Sequence, residues 1–322
     1  MLKFRKNLLQ AKSVFGIKKI MSSRFAGALA AKLKIPAVAL QHHAAHAAAC
    51  LGENNWLKPA LALCLDGSGL GPDGSIWGGE ALLVDLGKPA WQRVGSLAPF
   101  PLPGGESAIR QPWRLALGLR WQLGDLPVQP TKKELTLLEM LNKGLNCPTT
   151  SSCGRLFDAV ASQLGLCDEI SYEGQAAIRL EKAALEWLAG NPGKELPDYG
   201  AIPINQNGIG RLDTQAFFLK TLRLQAQNLP PGAIAAAFHH AISRNLAMLA
   251  SQLAGQHNLT HVALTGGVMQ NSLLLRLLSR YLRDSGLEPL THEQAPPGDG
   301  GISLGQVIWG RRLVEAGELK TD

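Results

Sequence analysis

Four residues carry the most chemistry in this 322-residue chain: His42 and His46 in the run QHHAAHAAAC, Asp66 in LCLDGSGLG, and Asp299 in PPGDGGISLG. His42 and His46 are four residues apart. On a helix they stand on one face, one turn from each other. The surrounding alanines, Ala44, Ala45 and Ala47 to Ala49, are strong helix formers. Two imidazoles at that spacing can share one metal ion. An HxxxH pair on an Ala-rich helix is by itself more often structural, so the pair gains weight only in combination with other donors. His43 points about 100° away from His42 on the same helix and is not expected to join a shared ion.

The apolar run Ala60 to Leu65 reads as a buried strand ending in Asp66-Gly67-Ser68-Gly69. A carboxylate at a strand end can reach a metal, while the backbone amides of glycines after it face a phosphate. A second apolar run, Ala81 to Asp85, makes a hairpin with the first, its long turn carrying DGSGLGPDGSIWGGE. Far along the chain, His261 to Asn271 (HVALTGGVMQN) reads as strand, Gly266-Gly267 turn, then a helix opening at Asn271, the geometry that brings amides to a nucleotide. Asp299, flanked by glycines, exposes a carboxylate at another helix start.

Cys153 stands at the helix start TSSCGRLFD, where a thiol pKa tends to fall. No histidine partner is evident, so a packed small residue is the favoured reading. The small polar residues and glycine of this helix start read either as an anion-binding N-terminus or as a start on which Arg155 and Asp158 simply pair with each other. His239 and His240 lie in an Ala-rich apolar helix, Ala233 to Leu253, as core or cleft residues. Arg110 and Arg114 near a helix start fit an anion or the surface equally well.

The elements that position these groups alternate strand and helix, an α/β layout. Ile35 to Leu40 reads as a short strand leading into the histidine helix. Residues 190–210 are rich in proline and glycine and form the best linker candidate. Residues 1–34 contain Lys and Arg but no Asp or Glu. Such a segment is a basic-faced helical stretch or, less favoured, a transit peptide.

Hydrophobic residues at 46% and charged residues at 18% give a globular composition. The net charge of +7 suits an anionic ligand, without the concentrated basic and aromatic pattern of a nucleic-acid surface. Five cysteines without a CxxC pair argue against a disulfide framework or zinc ribbon and for a reducing cytoplasm. No apolar stretch approaches the ~20 residues of a membrane span.

Eight blocks in one order carry a resemblance: QHHAAHAA, LDGSGLGPDGSIWGGE, GGESAIRQPWRLAL, TSSCGRLFDAV, YEGQAA, FHH, LTGGVMQN and PPGDGGISLGQ. The series resembles the C-terminal domain of the hydrogenase maturation carbamoyltransferases, the HypF family, from residue 22 to about residue 311. That domain is related to antibiotic O-carbamoyltransferases and to the enzyme of tRNA threonylcarbamoyl-adenosine synthesis.

The resemblance implies two ribonuclease-H-like lobes of the actin, sugar kinase and heat-shock ATPase fold. The expected division is a basic segment 1–34, a first lobe 35–125 incomplete at its N-terminus, and a second lobe 126–322 with a helical insertion. It further implies a divalent metal, Fe or Zn with Mg as a further candidate, on His42, His46, Asp66 and Asp299. Gly67, Ser68, Gly69, Gly266 and Gly267 would face nucleotide phosphates, and Asn271 the adenosine. The implied reaction passes a carbamoyl group from a carbamoyl-adenylate made from ATP to the C-terminal cysteine of a HypE-like partner, towards the cyanide ligands of the nickel–iron centre.

The alternatives are an O-carbamoyltransferase, a tRNA-modifying relative or an inactive fragment. The acylphosphatase-like, CxxC zinc and adenylate-forming segments of the full-length family are absent from this sequence, so a separate chain supplying them is an expected partner. The chain also departs from the usual pattern at Ala44, Glu106 and Gln111, where the family commonly has His, Asp and Glu.

Overall fold

A computed structural model describes residues 38–200, 202–205 and 208–319, with the isolated residue 32. The expected basic segment 1–34 lies outside these residues, Lys32 excepted, as do positions 35–37 of the expected opening strand; residues 38–40 are not strand.

The histidine helix, α1 (His42–Glu53), starts where Gln41 accepts a hydrogen bond from the Ala44 amide. β1 (Ala60–Leu70), β2 (Ile76–Asp85) and β3 (Ala90–Leu97) form an antiparallel meander after it. After the short β4 (Phe100–Pro101) come α2 (Glu106–Arg110), α3 (Pro112–Leu123) and α4 (Lys132–Asn142). The short β5 (Thr149–Thr150) leads into α5 (Cys153–Gln163) and α6 (Gln175–Gly190). A small hairpin, β6 (Ile204–Asn205) and β7 (Gly210–Leu212), precedes α7 (Thr214–Ala226) and the long α8 (Pro231–Gln256). β8 (His261–Thr265), α9 (Ser272–Asp284), β9 (Glu288–Leu290) and α10 (Ile302–Glu315) complete the order.

These strands form one mixed sheet in the order β6-β7-β3-β2-β1-β8-β9; off this path, β5 pairs with the start of β2 and β4 pairs with β5. The inner part, three antiparallel strands and then β8 and β9 parallel to β1, is the strand order of a ribonuclease-H-like unit. β1 is central and its residues 60–66 are all buried, which explains a continuous apolar run where a half-exposed strand would alternate. One face of the sheet packs on α5, α6, α8 and α9 through a core including Leu63, Phe157, Phe238 and Leu274. The other packs on α1 and α10 through Ala48, Leu51, Leu82 and Trp309.

Two expectations need correction. The lobe boundary at 125/126 does not divide the described residues, because β1 to β3 on one side and β8 and β9 on the other share a sheet. The Leu61–Val262 pairing joins strands 201 positions apart, which no local pattern announces. Residues 98–260 are thus largely an excursion from that sheet. The strand carrying Asp66 also does not stop there. β1 runs on to Leu70, with a bulge between Leu65 and Gly69, and turns through residues 71–75.

α1 and α10 approach closely because position 305 has no side chain. A Cβ on Gly305 would stand 1.8 Å from the Ala45 carbonyl oxygen. This contact brings the N-terminal part of α10, and the turn holding Asp299 before it, onto the histidine helix.

Candidate metal and nucleotide site

The site is built from three elements. α1 supplies two imidazoles, the bulge of β1 supplies Asp66, and a 3-10 turn at Asp299–Gly301 supplies Asp299. His42 Nε2 lies 3.0 Å from Asp66 Oδ2 and 3.2 Å from His46 Nε2. His46 Nε2 is 3.4 Å from Asp66 Oδ2 and 3.5 Å from Asp299 Oδ1, while His42 Nε2 is 3.6 Å from Asp299 Oδ1. All four donor atoms fall within 4.8 Å of one another.

Donors about 2.1 Å from one ion in a tetrahedron stand about 3.4 Å apart, so the separations seen here match a cation-sized centre. Two imidazoles and two carboxylates form a mixed nitrogen–oxygen set suited to Fe(II) or Zn(II). The residues present therefore fit a divalent metal.

Electrostatics point the same way. Burial favours a neutral Asp66, but hydrogen bonds from His42 and His46 outweigh it and hold the carboxyl well below the usual carboxylate range. Burial likewise opposes charge on His46, yet the hydrogen bonds to Asp299 and Asp66 raise it to about 9. Two carboxylates this close draw positive charge to the point between the four side chains. The other oxygen of Asp66, Oδ1, accepts from the Gly67 amide at 2.8 Å and the Gly267 amide at 3.1 Å. One carboxylate thus joins the imidazole pair to both glycine segments.

Gly266 adopts φ +97°, and a Cβ there would meet the Leu65 carbonyl at 2.2 Å, so this turn needs glycine. Gly69 packs on the imidazoles of His42 and His43, and Ser68 is exposed beside it. Ser152 caps α5 and donates towards the carbonyls of Asp66 and Gly67, at 2.7 and 2.8 Å, pinning the bulge from below.

Asn271 is differently engaged. Its Oδ1 caps α9 by accepting from the Leu274 amide at 2.8 Å, and its Nδ2 donates to His239 Nε2 at 3.0 Å. His239 Nδ1–H in turn donates to the Ala235 carbonyl at 2.7 Å. A neutral His239 therefore satisfies both of its nitrogens. Burial lowers its pKa to about 4. Between about 6.5, the ordinary value, and about 4, the unfolded chain holds a proton on this side chain that the folded chain refuses. Stability from this residue is complete above pH 6.5 and falls as pH drops towards 4, by about 3 kcal/mol. Chemical denaturation at several pH values checks this: His239→Asn is expected to flatten the slope in that window.

The other sequence candidates are structural. Cys153 is fully buried, and burial pushes its thiol up, away from reactivity. The other four cysteines are free and shifted in the same direction by burial, Cys50 to about 12. Arg155 pairs with Asp158 at 3.1 Å, and both are buried. Arg110 pairs with Glu106 on the surface, and Arg114 donates to Gln111 at 2.6 Å.

Sequence reasoning missed a buried ion pair, Glu80 with Arg93 at 2.7 Å, with Arg93 stacked 4.0 Å over Trp77. A fully buried Glu inside the apolar strand WGGEALLV was its available signal.

Known proteins share this arrangement of elements and motifs. Residues 62–306 match the model of a carbamoyltransferase, Kae1-like domain, second subdomain. That match crosses the 125/126 boundary, as the sheet does. The chain is 40% identical over 311 residues to carbamoyltransferase HypF of Rhodobacter capsulatus, covering 94% of this chain and 38% of the relative. It is 39% identical to a HypF homolog of Cupriavidus necator, covering 88% of this chain and 73% of that protein.

Among solved structures, a full-length HypF in a phosphate- and nucleotide-bound form matches with a TM-score of 0.81 at 30% identity, over 92% of this chain and 45% of that one. HypF of T. kodakarensis matches with a TM-score of 0.80 at 27% identity, over 92% of this chain and 40% of that one. Fold and site together define a Kae1-like carbamoyltransferase domain. The chain belongs to the HypF family of carbamoyltransferases, while spanning well under half the length of the first of these relatives.

Proposed function

We propose that this chain binds a divalent cation, Fe(II) or Zn(II) before Mg(II), through His42, His46, Asp66 and Asp299. Beside it the chain holds a carbamoyl-adenylate and delivers the carbamoyl group to a cysteine thiolate at the C-terminus of a HypE-like acceptor. The observation that carries this reading is the convergence of the four donors within 4.8 Å of one another, with the Gly67 and Gly267 amides holding the carboxylate of one of them, Asp66.

When bound, the cation supplies Lewis-acid polarisation of a phosphate or carbamoyl oxygen. The chain's own residues do the rest. The phosphate approaches along the exposed backbone at Ser68, while the Gly67 and Gly267 amides hold Asp66 and the Gly266 amide holds the Pro297 carbonyl, so these glycines fix the carboxylate of the site. Asn271, committed to capping α9, fixes the helix start that faces the nucleotide. In the transfer, the acceptor sulfur attacks the carbamoyl carbon, the bond from that carbon to the AMP oxygen breaks, and AMP leaves. The thiol proton has already gone to solvent or a base. No thiol of this chain is required.

The reading belongs to hydrogenase maturation, where the product is a precursor of the cyanide ligands, and to a reducing cytoplasm, in keeping with five free cysteines. Among the described residues no helix is long and apolar enough to cross a membrane.

The direct test mixes the metal-loaded chain with synthetic carbamoyl-adenylate and a peptide ending in cysteine. An S-carbamoyl adduct on the peptide, absent without the protein, is the expected mass-spectrometric result. No adduct above the uncatalysed background would remove autonomous transfer.

A further inference from the structure

Three of the four donors are rigidly held: His42 and His46 on a buried helix, and Asp66 in the central strand. Asp299 is the exception. Its side chain is 70% exposed, and it comes directly after the irregular segment 291–298. Something must hold that segment against α1 if Asp299 is to meet the histidines.

Glu53, the last residue of α1, does this. Its Oε1 accepts from three consecutive amides, Glu293 at 2.8 Å, Gln294, and Ala295 at 3.3 Å. Its Oε2 accepts from His292 Nδ1 at 3.0 Å. His292 Nε2 lies 2.9 Å from Thr265 Oγ1, and that hydroxyl is 3.2 Å from the carbonyl oxygen of His46 itself. Next to it, Asn54 Nδ2 donates to the Thr291 carbonyl at 3.0 Å, and the Gly266 amide donates to Pro297 O at 2.9 Å.

The position is costly for a carboxylate. The C-terminal end of a helix carries partial negative charge and disfavours an acidic side chain. Glu53 is nonetheless buried there, its side chain only 7% exposed. Four donors from one loop offset that cost.

We propose that Glu53, with His292 and Thr265, is a latch that fixes the Asp299 segment to the histidine helix, making Glu53 a positioning residue for cation binding. This rests on the metal reading above. Outer partners of a metal site commonly change affinity 10- to 100-fold when removed, and a cation bridging α1 and Asp299 must tighten the latch in return, since coupling is reciprocal.

The test is Zn(II) titration of the full chain by competition with a chromophoric chelator, for wild type, Glu53→Gln and His292→Asn, alongside their metal-free Tm. Hydrogen exchange of the wild type with and without Zn(II) is measured in parallel. Expected are a 10- to 100-fold weaker Zn(II) affinity in both variants and slower exchange of the 293, 294 and 295 amides of wild type on adding Zn(II). Unchanged affinity in the variants, even with lowered Tm, would overturn the latch while leaving the metal site standing. Should wild type take up no Zn(II) at all, the metal reading fails and takes the latch with it. If Glu53→Gln does not fold, His292→Asn and the wild-type exchange decide alone.

Discussion

Alanine at position 46 is expected to reduce affinity for Zn(II) or Fe(II) by at least about 100-fold, more than the loss typical of an outer partner. His46 is 1% exposed and its Nε2 lies within 3.5 Å of the donor atoms of both His42 and Asp299 and 3.4 Å from Asp66. Its loss removes the donor at the centre of the set and leaves two carboxylates facing one imidazole. A metal that binds only the folded state stabilises it by about 2.7 kcal/mol at a hundred times its dissociation constant. Wild type should therefore gain several degrees in Tm on adding metal, and His46→Ala should gain almost nothing. Elemental analysis after dialysis gives the second readout. Equal metal content in both proteins would take His46 out of the ligand set.

The second large effect is expected at Gly305. A methyl there cannot be relieved by a side-chain rotation, because the atom it meets at 1.8 Å is the backbone oxygen of Ala45. α10 must move off α1, and overpacking of this kind costs about 3 kcal/mol or more. Gly305→Ala is expected to lower Tm by several degrees and also to weaken metal binding, since α10 continues directly from the Asp299 turn. Thermal unfolding and Zn(II) titration check the two parts. A stable variant with native metal affinity would mean that the two helices do not need this contact.

The amino-acid sequence discloses the site more fully than the architecture around it. His42 and His46 are legible because helical spacing is local, and the glycine-flanked Asp66 and Asp299 are legible because their neighbours are unusual. That these four meet is written only in the order of the motifs. The sheet is harder to read. β1 lies beside β8, and the helices from α2 to α8 separate them in sequence, so the chain looks divisible where it is continuous. Asp66 looks terminal because glycines usually end strands; here they form a bulge that turns the carboxylate towards α1. Glu53 and His292 give no local signal at all. Each is an ordinary polar residue until the fold brings an exposed-looking loop back over the end of α1.

The state of the five thiols has a consequence for any enzyme handling an activated acyl group. A reagent reactive enough to modify a partner's sulfur could equally modify its host. Cys50, Cys64 and Cys153 are sealed in the core and their thiols are pushed up by burial, so these three are poor rival nucleophiles, while the part-exposed Cys147 is the thiol of this chain most open to such a reagent. Packing thus shields the thiols nearest the sheet from self-modification and leaves Cys147 as the position where labelling by an acylating reagent would show first.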